Sequence, residues 1–380
     1  MARAARAFTF VELLVAITVL MIVMLVLLQI TGKVGEIWRS SSGKISAFQN
    51  ARAAFSTLNL QISRATLNAY NDYVNSSGEG RTQANSGTFI PTRFARASEL
   101  HFLSGPAAQI VPGADATGNP GDAIFFQAPL GETDDTQLGG LNRALNSTGF
   151  YIQYGEADTS LLPNWLKSLF PSDKRFRLVQ FVQPTQELGI YTATATGSYP
   201  AGPTSTSSWL SAFKTPVTGQ QPRARVLAED VALLIIRPRL SPGDEETVAG
   251  SLGSTYNNTT RGSILSPNYH YDSRAWQSGY PADRVPSTGS TLTRPELMRN
   301  QLPPIVDVAM VCVDRRSVAR LGNSSSTPPA ELQVPPTLFT DSSKLEDDLA
   351  AYSRQLSNAN IRHRVFRSAV EIQGAKWSNN

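Results

Sequence analysis

Few residues in this chain stand where they could do chemistry. The single cysteine, Cys312, lies in the apolar run Val306–Val313, with no basic neighbour before Arg315. A buried, inert thiol is expected there rather than a nucleophile. One cysteine also excludes an intrachain disulfide and a cysteine-based zinc site. The three histidines, His101, His270 and His363, are too scattered to suggest a metal cage; His363, between Arg362 and Arg364, reads as part of a solvated basic patch. Gly322-Asn-Ser-Ser-Ser326 misses the G-x-S-x-G nucleophile elbow. Gly78-Glu79-Gly80 lacks the third glycine of a dinucleotide fingerprint, and neither a Walker A loop nor H-E-x-x-H occurs. Asp115-Ala-Thr117-Gly-Asn119-Pro-Gly-Asp122 alternates oxygen side chains in a way that suits calcium. It lacks the EF-hand glycine and closing glutamate, and turn chemistry explains the same residues. Asp134-Asp135 is a lesser case. Asn257 and Asn258 match N-x-[ST], which matters only in a glycosylating compartment. No catalytic residue, metal, cofactor or small-molecule substrate is expected, and the chain does not read as an enzyme.

The residue with an unexplained charge is Glu12. It is the only ionisable residue in the apolar segment Phe8–Ile30, FTFVELLVAITVLMIVMLVLLQI. As a helix this segment is about 34 Å long, enough for a hydrocarbon core of about 30 Å. An ionised carboxylate in that core costs roughly 2.5–3.5 kcal/mol or more. Ahead of the segment, MARAARA carries Arg3 and Arg6 and no acid. That charge keeps the short end in the cytoplasm and sends the C-terminal bulk outward. A cleaved secretory signal would have a shorter apolar region followed by a small-x-small site. Here the nearby Ala5-Arg6-Ala7 lies upstream of the apolar run. A plain signal anchor fits the length but leaves Glu12 without a purpose.

The string Ala7-Phe8-Thr9-Phe10-Val11-Glu12-Leu13-Leu14-Val15 resembles the processing signature of type IV pilins and pseudopilins. The resemblance implies cleavage between Ala7 and Phe8 by a prepilin peptidase, N-methylation of Phe8, and a role for Thr9 and Glu12 in processing and assembly. One departure stands out: Ala7 occupies a position where the family prefers glycine. The resemblance also implies other pilin-like subunits as partners, lipid of the inner (cytoplasmic) membrane around a single span, and a periplasmic or extracytoplasmic body able to join a filament.

Cutting before Phe8 would place a new ammonium group at the membrane, where a buried charge needs a counter-charge. Glu12, four residues along the same helix, lies on the face of Phe8. It can neutralise its own terminus or that of a neighbouring subunit, and in the second case the pair sets register between subunits. The residues fit both pairings; the family resemblance favours the second.

The elements that must carry this segment follow. No proline occurs before Pro91. Ile45, Phe48, Ala51, Phe55, Leu58, Ile62 and Ala65 recur at steps of three or four, an amphipathic stripe, with Gln49, Asn50, Arg52, Asn59, Gln61 and Arg64 opposite. Helix is expected from Phe8 to about Leu67, with residues 31–70 continuing the membrane segment. Gly32, Gly35 and Gly43 predict a bend or loosened turn in its middle. Beyond lie β-like runs at Leu100–Leu103, Ala123–Gln127, Phe150–Tyr154, Arg177–Gln183, Val226–Arg237, Val306–Val313 and Ile361–Ile372, with short helices at Ser160–Phe170 and Lys344–Leu356. The expected fold class is α+β, a long helix packed on an antiparallel body spanning 71–380. Thr192–Gln221 and Ser241–Pro303 read as surface insertions.

Composition supports a β-rich body: 27 glycines and 24 prolines make many turns. Lys and Arg number 34 against 30 acids, a net charge of +4. That is too mild for a dedicated nucleic-acid binder. The blocks Ala51–Phe55 through Leu58, Ser63–Thr66, Asn68–Tyr70, Val226–Pro238 and Gln301–Val308 resemble the J-type minor pseudopilins. Phe366–Ile372 with Ala375-Lys-Trp377 is similar to the prepilin-like group called Verru_Chthon cassette protein C. These resemblances imply a structural subunit of a type IV pilus-like or type II secretion-like filament, in a minor position. A membrane-anchored binding protein that never polymerises is the alternative.

Overall fold

A computed structural model of the chain describes residues 10–77, 80–81, 85–111, 113–156, 174–191, 223–252, 264–274, 295–322 and 327–377, with the backbone alone over 35–47, 191, 251–252 and 295–296. The chain divides into two units, Met1–Gln49 and Asn50–Asn380.

Helix α1 (Phe10–Ser63, 54 residues) begins in the first unit and ends in the second. Helical assignment continues through Gly32, Gly35 and Gly43, so the expected loosened turn is not present as a break. A glycine costs a helix about 1 kcal/mol relative to alanine, too little to interrupt so long an element. In the second unit the stripe is buried as its spacing predicts: Ala51, Ala54, Phe55, Leu58, Ile62 and Ala65 are inaccessible. Arg52 and Arg64 face outward. Gln61 departs from the expected polar face, being half-buried against the sheet.

Among the described residues the body has three antiparallel sheets. The smallest is the hairpin β1 (Tyr70–Val74) and β2 (Arg93–Ala97). The largest is built from β3 (Leu103–Pro106), β4 (Asp122–Pro129), β5 (Leu145–Gly155), β6 (Arg175–Gln183), β7 (Ala224–Glu229) and β9 (Tyr271–Asp272), in the order β7-β6-β5-β4-β3-β9. The third is β8 (Val231–Arg239), β10 (Ile305–Val313) and β11 (His363–Glu371), ordered β11-β10-β8. Among the described residues the longer of the remaining helices are α2 (Pro242–Leu252) and α3 (Leu345–Asn358). The fold is therefore α+β, a long N-terminal helix followed by antiparallel sheets.

The run expected as one strand over Val226–Arg237 is two. Asp230 takes a left-handed conformation (φ 59°) between β7 and β8. Aspartate tolerates that region better than a branched residue does. Its N–H donates to Phe176 O and its carbonyl accepts from Val313 N, both at 2.9 Å, so one residue touches both sheets. A second junction lies at Gly121, bridged in parallel to Leu234. There φ is +76° and a Cβ would stand 2.2 Å from Leu234 O, so only glycine fits.

The six-stranded sheet buries both faces. One carries Leu103, Phe125, Tyr151, Val179 and Phe181, packed with Ile110 and Ile190. On the other, Phe126 lies 6.1 Å from Phe102 and 6.5 Å from Phe150, ring centre to ring centre. Thr148 and Gln180 share that second face by register, and both reach α1 at Gln61. The stripe thus covers the sheet, as its period implied.

Ser241–Pro303, read as a surface insertion, holds in its described parts α2, β9 and the fully buried polar residues Ser266, Asp272 and Ser273. Its described aromatics, Tyr269 and Tyr271, are fully buried. Asn68 also works as structure: its side-chain oxygen accepts from the N–H of Glu99 at 3.1 Å and of Leu100 at 3.4 Å. The helix expected at Ser160–Phe170 and the insertion Thr192–Gln221 lie outside the described residues.

Candidate functional site

The site with unexplained chemistry is the start of α1. Residues Phe10–Val34 form a helix of 25 residues with mean hydropathy 3.0, none of it buried within the structure. Leaving apolar side chains such as Leu20, Ile22 and Leu28 in water would forfeit about 1.5–3 kcal/mol each. The segment therefore demands an apolar solvent, and its length suits a bilayer. Its hydroxyls are satisfied internally, as lipid requires. Thr18 Oγ1 donates to Val15 O at 2.8 Å, and Thr31 Oγ1 to Leu27 O at 2.9 Å.

Glu12 lies in the first turn of α1, exposed on its surface. A carboxylate there meets the positive end of the helix dipole, worth about 0.3–1 kcal/mol at an exposed site. That is less than the cost of holding a carboxylate in lipid. Ala7, Phe8 and Thr9 lie outside the described residues.

At the other end, α1 is tied to the body by polar contacts as well as its stripe. Gln180 Nε2 donates to Gln61 Oε1 at 2.8 Å, and Thr148 Oγ1 to the same oxygen at 3.4 Å. Phe55 packs on Phe366 of β11, with ring centres 5.8 Å apart. Thr66 N donates to Gln127 O at 2.9 Å. The arrangement holds the helix by its C-terminal half.

The body contains a polar cluster that sequence patterns did not reveal. His101 Nε2 and Asp272 Oδ1 lie 2.7 Å apart, both essentially inaccessible. Asp272 Oδ1 also accepts from Arg274 N at 2.7 Å, and His101 N donates to Gln127 Oε1 at 2.8 Å. Burial lowers the pKa of His101, Asp272 opposes that, and burial prevails. A neutral imidazole then donates to the carboxylate. Burial likewise lowers Arg274 to about 10, against the pull of Asp272. With no exposed reacting group, this cluster fastens β9 to β3. The signal for it was the stretch Tyr269-His-Tyr-Asp-Ser-Arg274, too aromatic for a solvated loop.

The candidate calcium residues are occupied otherwise. Asp115 Oδ1 caps its own turn, accepting from Thr117 N at 2.9 Å and Gly118 N at 2.7 Å. Asn119 Nδ2 donates to Ile152 O. Asp122 is buried, accepts from Ile236 N at 2.8 Å, and is pushed up to about 8 by desolvation. Asp134 pairs with Arg223 and Asp135 caps a short turn at Gln137. No group of three or more His, Cys, Asp or Glu among the described residues is placed to hold a metal ion. Cys312 is buried, and burial pushes its thiol up to about 12. His363 is half-buried, its Nδ1 lying 3.1 Å from Ile361 O.

A family model, the prokaryotic N-terminal methylation motif, matches residues 2–28. No curated protein and no solved structure matches the chain. The N-terminal segment thus carries a prepilin-type signature, of the kind found on pilin- and pseudopilin-type structural subunits. That signature implies processing by a prepilin peptidase and association with other pilin subunits, and among the described residues one helix, Phe10–Val34, is long and apolar enough to anchor the chain in a membrane.

Proposed function

We propose that the chain is a non-catalytic prepilin-like subunit, cut between Ala7 and Phe8 and methylated on the new Phe8 terminus, that enters a type IV pilus-like or type II secretion-like filament in a minor position. The observation that carries this reading is the methylation motif over residues 2–28 together with Glu12, the one acid of the apolar segment. In the membrane the uncut chain is stored with its N-terminus in the cytoplasm and its body outside. On assembly, Glu12 of one subunit meets the Phe8 amine of a neighbour and fixes their register. The work of extraction comes from another component. A minor position is favoured by the size of the body, which is hard to repeat along a tightly packed filament. The J-type resemblance points the same way.

Intact-mass analysis and N-terminal sequencing of the protein from its native membrane test the reading. N-methylphenylalanine at position 8 is the expected result. A mature chain that retains Met1 overturns it and leaves a membrane-anchored binding protein.

A further inference from the structure

Of the seven large apolar side chains left exposed among the described residues beyond Val34, four belong to the β1–β2 hairpin and its loop: Tyr70, Tyr73, Ile90 and Phe94. Single exposed apolar residues are ordinary, but such a concentration marks a contact surface. Tyr73 and Phe94 are cross-strand partners with ring centres 4.3 Å apart, yet they stand 50% and 63% exposed. Side chains alternate along a strand, so Tyr70, three residues before Tyr73, projects from the opposite face. Ile90, in the loop between the strands, is 73% exposed. That loop does bury an apolar neighbour. Val74 is inaccessible, its carbonyl accepts from Thr92 N at 2.9 Å, and it bridges to Gly80. The loop covers Val74 and leaves Ile90 and the two rings outside.

Cations lie beside the same place. Val74 pairs with Arg93 on one side and with Gly80 on the other, so Arg93 and Arg81 stand on either side of the end of β1, both exposed. Burial, and then the nearby Arg93, lower the pKa of Arg299, which puts a further guanidinium close to the hairpin. Asp72 Oδ1 accepts from Tyr73 N at 2.7 Å. Residues 70–97 hold three arginines against two acids, Asp72 and Glu79, so the positive excess is small.

We propose that this hairpin docks on the interfacial layer of a lipid bilayer, a second membrane rather than the one α1 enters. A folded partner, or a second copy of the chain, offers its surface to one face of a hairpin. Apolar side chains on both faces and in the loop call instead for a medium that surrounds them. The headgroup layer of a bilayer is such a medium: rings of tyrosine and phenylalanine settle at its depth, and Arg81 and Arg93 meet lipid phosphates. The small charge excess makes the contact apolar first and electrostatic second. A second bilayer is specified by the place of the hairpin along the chain. Within the second unit α1 runs from Asn50 to Ser63, about 20 Å of helix. The chain arrives from the membrane segment at Asn50, and the hairpin follows the other end. Its base is fastened there by Asn68, which accepts from Glu99 N and Leu100 N. The proposal is independent of cleavage before Phe8.

Co-flotation tests it, with the full-length protein held by its apolar helix in a phosphatidylcholine nanodisc. The probes are added vesicles of phosphatidylcholine alone or of an equal mixture with phosphatidylglycerol. The discs should float with both kinds of vesicle, and better with the mixture. Tyr73→Ser combined with Phe94→Ser should lower the affinity at least about tenfold, and Ile90→Ser should weaken it. Phe94→Leu, which keeps an apolar side chain, should bind as the parent does. Arg93→Glu should weaken binding to the mixed vesicles more than to phosphatidylcholine alone. Leu141→Ser, at an exposed apolar position outside the hairpin, should leave binding unchanged. Melting temperatures measured on every variant separate misfolding from lost contact. Discs that do not float, or flotation that survives the double substitution, overturn the proposal. So does association of the discs with one another that the double substitution abolishes, which would make a second copy the occupant.

Discussion

Gln180, buried on β6, donates its side-chain N–H to the amide oxygen of Gln61 on α1 at 2.8 Å. This bond, beside the longer one from Thr148 to the same oxygen, crosses from sheet to helix at a place where the helix period would put a solvated side chain. Gln61→Leu would leave the Gln180 donor facing an apolar group. We expect a loss of about 1–3 kcal/mol. In a domain this large that lowers the melting temperature by about 2–4 °C per kcal/mol. A thermal melt in detergent reads it, and an unchanged melting temperature would show that the bond adds nothing net.

The stripe on α1 makes a sharper contrast two residues apart. Leu58 is fully buried and Leu60 is 51% exposed. Leu58→Ala should cost about 2–5 kcal/mol through lost burial and a residual cavity. Leu60→Ala should stay within about 0.5 kcal/mol of the parent. Denaturant titration of both variants checks the register, and similar losses would mean that the helix sits rotated from the face described above.

Asp122 gives a pH dependence with a definite sign. Burial raises its folded pKa to about 8 from 3.8, so between these values the folded state holds a proton that the unfolded state has released. Stability from this group is therefore full below about pH 4, falls as pH rises, and levels off above about pH 8. The slope is at most about 1.4 kcal/mol per pH unit. Asp122→Asn keeps an acceptor for Ile236 N and removes the titration. The difference between parent and variant, measured by denaturant midpoint across this range, should grow with pH. A flat difference rules out a protonated Asp122.

Cys312 should resist a maleimide probe at neutral pH. It is buried on β10, and burial pushes its thiol up to about 12, so little thiolate is present. Labelling should follow the rate of unfolding and accelerate in denaturant. Rapid modification of the folded protein would contradict its placement.

Glu12→Ala tests the assembly role directly. The variant should insert and be cut as the parent is, since the apolar segment becomes more apolar. It should fail to enter filaments, because the amine of the neighbouring Phe8 loses its counter-charge. Immunoblots of membrane and sheared-filament fractions distinguish the outcomes, and normal incorporation removes the pairing role.

Periodicity made α1 readable, because a buried stripe over many turns has no other explanation. The strands β4, β5, β6, β10 and β11 were readable for a similar reason: Val, Ile and Phe runs between turn residues have few alternatives. The sheet switch at Asp230 was not, since Val226–Arg237 is apolar on both sides of it and a backbone angle leaves no mark on hydrophobicity. The hairpin at Tyr70 and Arg93 was missed because its strands are short and exposed. The cluster of His101, Asp272 and Arg274 unites residues far apart in sequence, which no local spacing can announce. At the start of α1 the opposite holds. Glu12 is conspicuous in the sequence, whereas in the fold it is an ordinary first-turn acid.

The chain crosses between the two larger sheets in a single main-chain step at Asp230. A pull delivered to the three-stranded sheet reaches the six-stranded one through covalent bonds, with no packing contact required to survive the load. For a molecule proposed to be drawn out of a membrane by its helix, such a weld lets the body travel as one piece.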